Sequence, residues 1–146
     1  MEFTASTVNW DLVCRLKEEN GLEDALLECE PNPEIGQTPW PNNSAHQHMI
    51  VAEELEKHCS NNEIVSAIQN NLINEDFGLP QDLGDDLNPE LVAGAINPDN
   101  AKSTLKLFDS LDFSLFNSDT KEYLQQWKNM LIYSTEKNGG ILFHLG

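Results

Sequence analysis

Hydrophobic positions along the chain follow two periods. In the opening "MEFTAST", Met1, Phe3, Ala5 and Thr7 alternate with their neighbours, the two-residue repeat of a strand with one buried face. From Asn9 the repeat lengthens: Leu12, Val13 and Leu16 share one side of a helix that Asn9 can cap and Gly21 can end. A shorter helical block over residues 22–30 follows, with Ala25, Leu26 and Leu27 as its apolar side. "PNPEIGQTPWPNNS" holds four prolines and reads as loop. Helical spacing returns in "SAHQHMIVAEELEKHC", where Met49, Ala52, Leu55 and Cys59 make an apolar stripe suited to a core. It continues in "NNEIVSAIQNNLI" with Ile64, Val65, Ile68, Leu72 and Ile73, and then breaks in the acidic, glycine-containing loop "NEDFGLPQDLGDDLNPE".

Two later segments share a helix-start signal: Asn at the N-cap, Pro at the first helical position, then an acid facing the positive end of the helix dipole. These are Asn88-Pro89-Glu90 and Asn97-Pro98-Asp99, although Asn-Pro also begins simple turns. "NSDTKEYLQQWKNMLIYSTEKNGG" is the strongest helix. Asn117 or Ser118 caps it, Tyr123, Leu124, Trp127, Leu131 and Ser134 run down one side, and Gly139-Gly140 end it. "ILFHLG" closes the sequence as a strand. The elements predict an α+β fold: a mostly helical single domain over residues 1–146, with a short N-terminal strand and a C-terminal strand that could pair in a small sheet.

Charge changes this picture more than length does. The formal net charge is -17, from 25 acidic and 8 basic side chains. Residues 18–101 hold 18 carboxylates and one base, Lys57, whereas the rest of the chain holds 7 acids and 7 bases. The whole imbalance therefore lies in the middle. Such a field repels nucleic acid and anionic membrane and speeds encounter with basic partners. No apolar run approaches the ~18 residues of a membrane span. "MEFTASTVNWDL" has neither the basic segment nor the apolar stretch of a signal peptide. Three cysteines, Cys14, Cys29 and Cys59, stand at unpatterned spacings, so reduced thiols and a cytoplasmic location are expected.

Candidate chemistry is sparse. His46, His48, His58 and Cys59 cluster, but His46 and His48 point to nearly opposite sides of a helix, and none of the histidine pairs has the i, i+4 spacing of zinc ligands. Twelve helical residues rise ~18 Å, far beyond ligand distances, so no metal is expected. Asp76-Phe77-Gly78 spells a kinase motif without the glycine-rich and catalytic loops that give it meaning. Asp82, Asp85 and Asp86 lack the ligand order of a calcium loop. No nucleophile elbow, P-loop or dinucleotide fingerprint occurs. No catalytic residue and no cofactor is expected, and the chain reads as non-enzymatic.

From about Asn70 onward the sequence resembles the YfbM-like family of small bacterial proteins of unassigned function. "DFGLPQDLGDDLNPELVAGAI" matches that family's glycine-containing loop and proline-acid helix start. "AKSTLKLFDSLDF" matches its leucine-rich helix, and "EYLQQWKNMLIYSTEKNGGILFHLG" its aromatic helix and final apolar strand. The likeness covers about half of the chain. It implies an α+β bacterial domain and supplies no catalytic residues.

The charge pattern points to a protein-binding module. The reading it favours is an immunity-type inhibitor that neutralises a basic toxin, for example a nuclease, by covering its active site. A nuclease must be positive where it holds phosphates, and a carboxylate face complements it. The expected partner is thus a basic protein, a cognate toxin domain, and neither nucleic acid nor membrane. The expected contact residues are Glu75, Asp76, Asp82, Asp85, Asp86 and Glu90. A second patch comprises Glu18, Glu19, Glu23, Asp24 and Glu28. Trp40, stiffened by Pro39 and Pro41, is a candidate anchor, or else a tryptophan that tucks its loop onto the core. A nucleic-acid mimic inhibiting a DNA-binding enzyme and a YfbM-like housekeeping domain are the alternatives.

Overall fold

The computed structural model describes residues 2–27, 34–37, 43–73 and 78–145. Strand β1 (Glu2–Val8) pairs antiparallel with the last strand, β5 (Gly140–Leu145), from Phe3 opposite Leu145 to Val8 opposite Gly140. Alternation along β1 buries Phe3, Ala5 and Thr7, as its sequence period demands. Strand β4 (Gly94–Ile96) adds antiparallel to the other side of β5, with Ile96 opposite Ile141. Two further strands of two residues each, β2 (Gly36–Gln37) and β3 (Asn43–Ser44), flank β1 within the stretch that the four prolines mark as loop. The fold is α+β, and the two strands nearest the chain ends do pair.

Among the described residues six α-helices surround this sheet: α1 (Trp10–Glu18), α2 (Leu22–Leu26), α3 (Ala45–Glu56), α4 (Glu63–Asn71), α5 (Pro98–Asp109) and α6 (Ser118–Glu136). On one face, Phe3, Ala5, Ile96, Ile141 and Phe143 meet Val51 and Leu55 of α3, Ile68 of α4, Phe108 of α5, and Leu124, Trp127 and Leu131 of α6. Phe3 and Phe143 stack at 5.8 Å, and Trp127 lies 5.3 Å from Phe143. On the other face, Val8, Ala95 and Leu142 pack against Val13 of α1 and Leu22 of α2. Adjacent residues of β5 therefore feed different clusters, which explains why "ILFHLG" shows no polar alternation.

Helix starts follow the short polar side chains. Asn9, Ser44, Asn62, Asn97 and Asn117 accept hydrogen bonds from backbone N–H groups in the first turns of α1, α3, α4, α5 and α6. Helix ends use asparagine too. Asn20 (φ 58°) and Asn138 (φ 51°) take the left-handed conformation after α1 and α6, and the glycine after each reaches back, Gly21 to the Leu16 carbonyl and Gly139 to that of Ser134. The expected stop at Gly21 is thus one residue late. Gly140 is needed for space: a Cβ there would enter the Trp10 ring and lie 2.7 Å from the Ile96 carbonyl oxygen.

Three further expectations are corrected. The buried stripe of α3 is His48, Val51, Ala52 and Leu55, while Met49 is 41% exposed. The i, i+3, i+4, i+7 spacing is complete only when His48 counts as a core residue. The start signal at Asn88 makes a turn rather than a helix: Leu91 and Val92 N–H groups return to the Asn88 carbonyl, and the chain then extends into β4. Gly94 lies so close to Leu79 that a Cβ would come within 2.5 Å of it, and Ala93 N–H donates to the Phe143 carbonyl. Sheet pairing overrides the local signal. The sequence block at residues 22–30 forms helix only over Leu22–Leu26 within the described residues. Among the described residues no helix is long and apolar enough to cross a membrane.

Candidate functional site

The segment after Leu79 runs parallel beside β4, and this pairing positions the acids. Asp82 N–H donates to the Ala95 carbonyl, and the Gln81–Ala95 bridge holds the strand-like start. Gly84 at φ 89° turns the chain, a conformation that favours glycine, and leaves Asp85 and Asp86 exposed. Asp86 Oδ1 then meets Lys17 Nζ of α1 at 3.2 Å, and Asn88 N–H donates to Glu23 Oε1 of α2 at 2.8 Å. These two contacts fasten the loop over residues 82–90 to the α1–α2 corner.

The two acidic patches separated in sequence thereby become neighbours. Asp85, Asp86 and Glu90 come from the loop, and Glu18, Glu19 and Asp24 from the corner, all exposed, with Glu23 half-buried between them. Lys17 is the base the sequence count placed just outside the acidic stretch, and the fold returns it to the edge of the patch. Its pair with Asp86 is mostly in water and contributes at most ~1 kcal/mol. Asp82 serves the fold instead. Its Oδ2 accepts from Asn97 N–H and from Asn100 Nδ2, both at 2.8 Å, so it secures the start of α5. Glu75, Asp76, Glu28 and Trp40 lie outside the described residues.

The histidines are dispersed. His46 is exposed, whereas His48 is wholly buried, with Nδ1 2.6 Å from the Tyr123 hydroxyl and its ring 5.0 Å from Phe3. Burial pushes the Tyr123 hydroxyl far above its ordinary value, and the neighbouring Trp127 side chain opposes that shift. The pair is a polar link between α3 and α6 inside the core. His58 meets Phe116 edge-on at 5.2 Å, and His144 Nδ1–H donates to the Leu91 carbonyl at 2.6 Å. Burial pushes the His144 imidazole below its usual value. Burial likewise raises the thiols of Cys14 and Cys59, with the carboxylates of Asp11 and Glu18 adding to the first and Glu56 to the second. Both are held as neutral thiols, the inert form. Among the described residues no group of three or more His, Cys, Asp and Glu side chains could hold a metal ion.

One feature has no counterpart in the sequence pattern. A recess of about 440 Å³ opens where the start of α1, β2 and the end of α6 converge, lined by Trp10, Asp11, Glu34, Tyr133 and Lys137 among others. No local spacing announces it, because its walls are more than 120 residues apart in the chain (Trp10 to Lys137). Compared with protein-family models, with curated proteins and with solved structures, the chain matches none of them.

Proposed function

We propose that the protein is a non-enzymatic, cytoplasmic binding module that neutralises a basic partner, in the manner of an immunity protein covering the positive active site of a toxin such as a nuclease. The observation that carries the reading is the junction of the two acidic patches: Asp85, Asp86 and Glu90 are fastened beside Glu18, Glu19 and Asp24 through Lys17 and Glu23. A surface so composed complements phosphate-binding residues and steers rapid encounter. The alternative of a YfbM-like housekeeping domain rests on the likeness from about Asn70. A nucleic-acid mimic would favour a long exposed stripe of acids, and the compact patch speaks for the toxin inhibitor instead.

Charge reversal tests this when it is confined to acids that hold nothing inside the fold, with Asp24→Lys, Asp85→Lys and Glu90→Lys combined. Asp82 is left alone because it holds the start of α5. The wild-type chain is expected to co-purify from its native host with a basic protein and to inhibit that protein's activity. The triple variant should keep the wild-type circular dichroism spectrum and lose both binding and inhibition. Retention of both by the folded variant refutes the assignment of this face.

A further inference from the structure

We infer that the recess between α1, β2 and α6 is a binding site for a guanidinium group. It shares no residue with the acidic face of Glu23, Asp24, Asp85, Asp86 and Glu90, so the two readings stand or fall separately.

The walls specify the chemistry. Its volume, about 440 Å³, lies in the range of small-ligand pockets rather than of packing voids. Trp10 and Tyr133 supply two half-buried aromatic rings. The Trp10 ring is seated against the Gly140 backbone, where even a methyl group would collide with it, so this wall is fixed before any ligand arrives. Asp11 and Glu34, both exposed, supply two carboxylates at the rim. The nineteen-residue helix α6 ends here, presenting the carbonyl-rich, negative end of its dipole. The recess lies also at the positive end of α1, but Asp11 in that helix's first turn answers it.

One side chain of the protein already sets a cation over one of these rings. Lys137 Nζ lies 4.8 Å from the centre of the Tyr133 ring. The ring face therefore accepts a positive charge in this setting. A lysine ammonium is a compact point charge, whereas a guanidinium is planar, stacks on aromatic faces and forks two hydrogen bonds to a carboxylate. Rings and carboxylates together suit the second better. Lys137 is then a competitor that must swing aside, and it also provides the sharpest test. For a cationic ligand its removal strengthens binding; for an anionic ligand its removal abolishes binding.

The experiment follows the full chain, labelled with nitrogen-15, by NMR, with the Trp10 indole N–H identified by its loss in Trp10→Phe. Nα-acetyl-arginine amide is titrated against its neutral isostere Nα-acetyl-citrulline amide and against inorganic phosphate. The arginine derivative is expected to give saturable shifts at the Trp10 indole with Kd of about 1 mM, a value suited to a few contacts on a small ligand. The citrulline derivative and phosphate should give none. Asp11→Asn with Glu34→Gln should weaken binding about tenfold, while Lys137→Gln should tighten it about threefold, with the remaining spectrum unchanged. The peptide Gly-Gly-Arg-Gly-Gly separates two sources of the same group. Binding as tight as the amide's assigns the site to an arginine carried on a chain, and binding of the amide alone assigns it to a small free cation. Equal shifts from citrulline, indifference to the carboxylate variants, or phosphate binding that Lys137→Gln removes would each overturn the inference.

Discussion

Replacing Glu54 by alanine should loosen the junction between α3 and α6, and the structure allows the loss to be sized. Glu54 Oε1 accepts from Asn117 N–H at 2.8 Å, Oε2 accepts from Asn117 Nδ2 at 2.6 Å, and Thr120 Oγ1 also donates to Oε2. A carboxylate of α3 thus gathers three donors at the N-terminus of α6, where the dipole also favours negative charge by ~0.5 kcal/mol. Asn117 is exposed, so water replaces much of its two bonds in the variant, leaving a loss of about 0.5 kcal/mol for each. Thr120 is 0% exposed, and a buried hydroxyl deprived of its partner costs about 1–2 kcal/mol. The total is about 2.5–3.5 kcal/mol, equivalent to a Tm lower by roughly 8–11 °C for a chain of this size. Thermal unfolding followed by circular dichroism measures it. Thr120→Val made in the Glu54→Ala background should add less than it does alone, with a coupling of about 1 kcal/mol, because the two side chains share one interaction. A Tm within about 1 °C of wild type, or strictly additive losses, would refute this account of the junction.

Two further outcomes follow from charge. Burial holds His144 below its ordinary pKa, so the native state binds its proton less readily than the unfolded chain does; the associated stability is intact above the unfolded value of ~6.5 and is lost as pH falls through the lower folded value. Urea unfolding at pH 7.5, 6.5 and 5.5 should show a steeper acid decline for wild type than for His144→Gln, and parallel declines would contradict it. The net charge of -17 repels itself, and the Debye length contracts to about 10 Å at 0.1 M salt. Raising sodium chloride from about 0.02 to 0.3 M should therefore raise Tm by about 3 °C; an unchanged or lower Tm would show that the acids do not strain the fold.

The parts of the fold legible in the sequence are those governed by local rules. Alternation marked β1, the side-chain caps marked α5 and α6, and the stripe Tyr123, Leu124, Trp127, Leu131, Ser134 is buried as a unit. Errors arose where a partner distant in sequence overrides a neighbour. Asn88-Pro89-Glu90 has the grammar of a helix start, but β5 and Leu79 draw the following residues into β4. The predicted stripe of α3 omits His48 because the group that accommodates it in the core, Tyr123, lies 75 residues away. The candidate surface was half legible. Composition located the acids, and only the fold could place the loop over 82–90 against the α1–α2 corner or tie Asp82 to the start of α5.

That last distinction bears on what the acids are for. Where the protein needs a carboxylate for its own architecture, the carboxylate points at a donor: Asp82 at Asn97 and Asn100, Glu54 at Asn117 and Thr120, Glu23 at Asn88, Asp112 at Ser114. Each of these serves a helix start or a turn, and each would be needed at any net charge. The side chains of Glu18, Glu19, Asp24, Asp85 and Glu90 are exposed and enter no hydrogen bond or salt bridge within the described residues. The fold gains nothing from crowding them at one corner, and mutual repulsion makes that crowding unfavourable. Solubility requires charge but not its concentration. A reversal series therefore has two separable readouts. Asp82→Lys should lower Tm by removing the anchor of α5, whereas Asp24→Lys or Asp85→Lys should hold or raise Tm by relieving repulsion. If the corner meets a basic protein, those same two substitutions must weaken that contact. A corner variant that loses stability while binding is untouched would place these carboxylates among the architectural ones and leave the proposed interface without its charge.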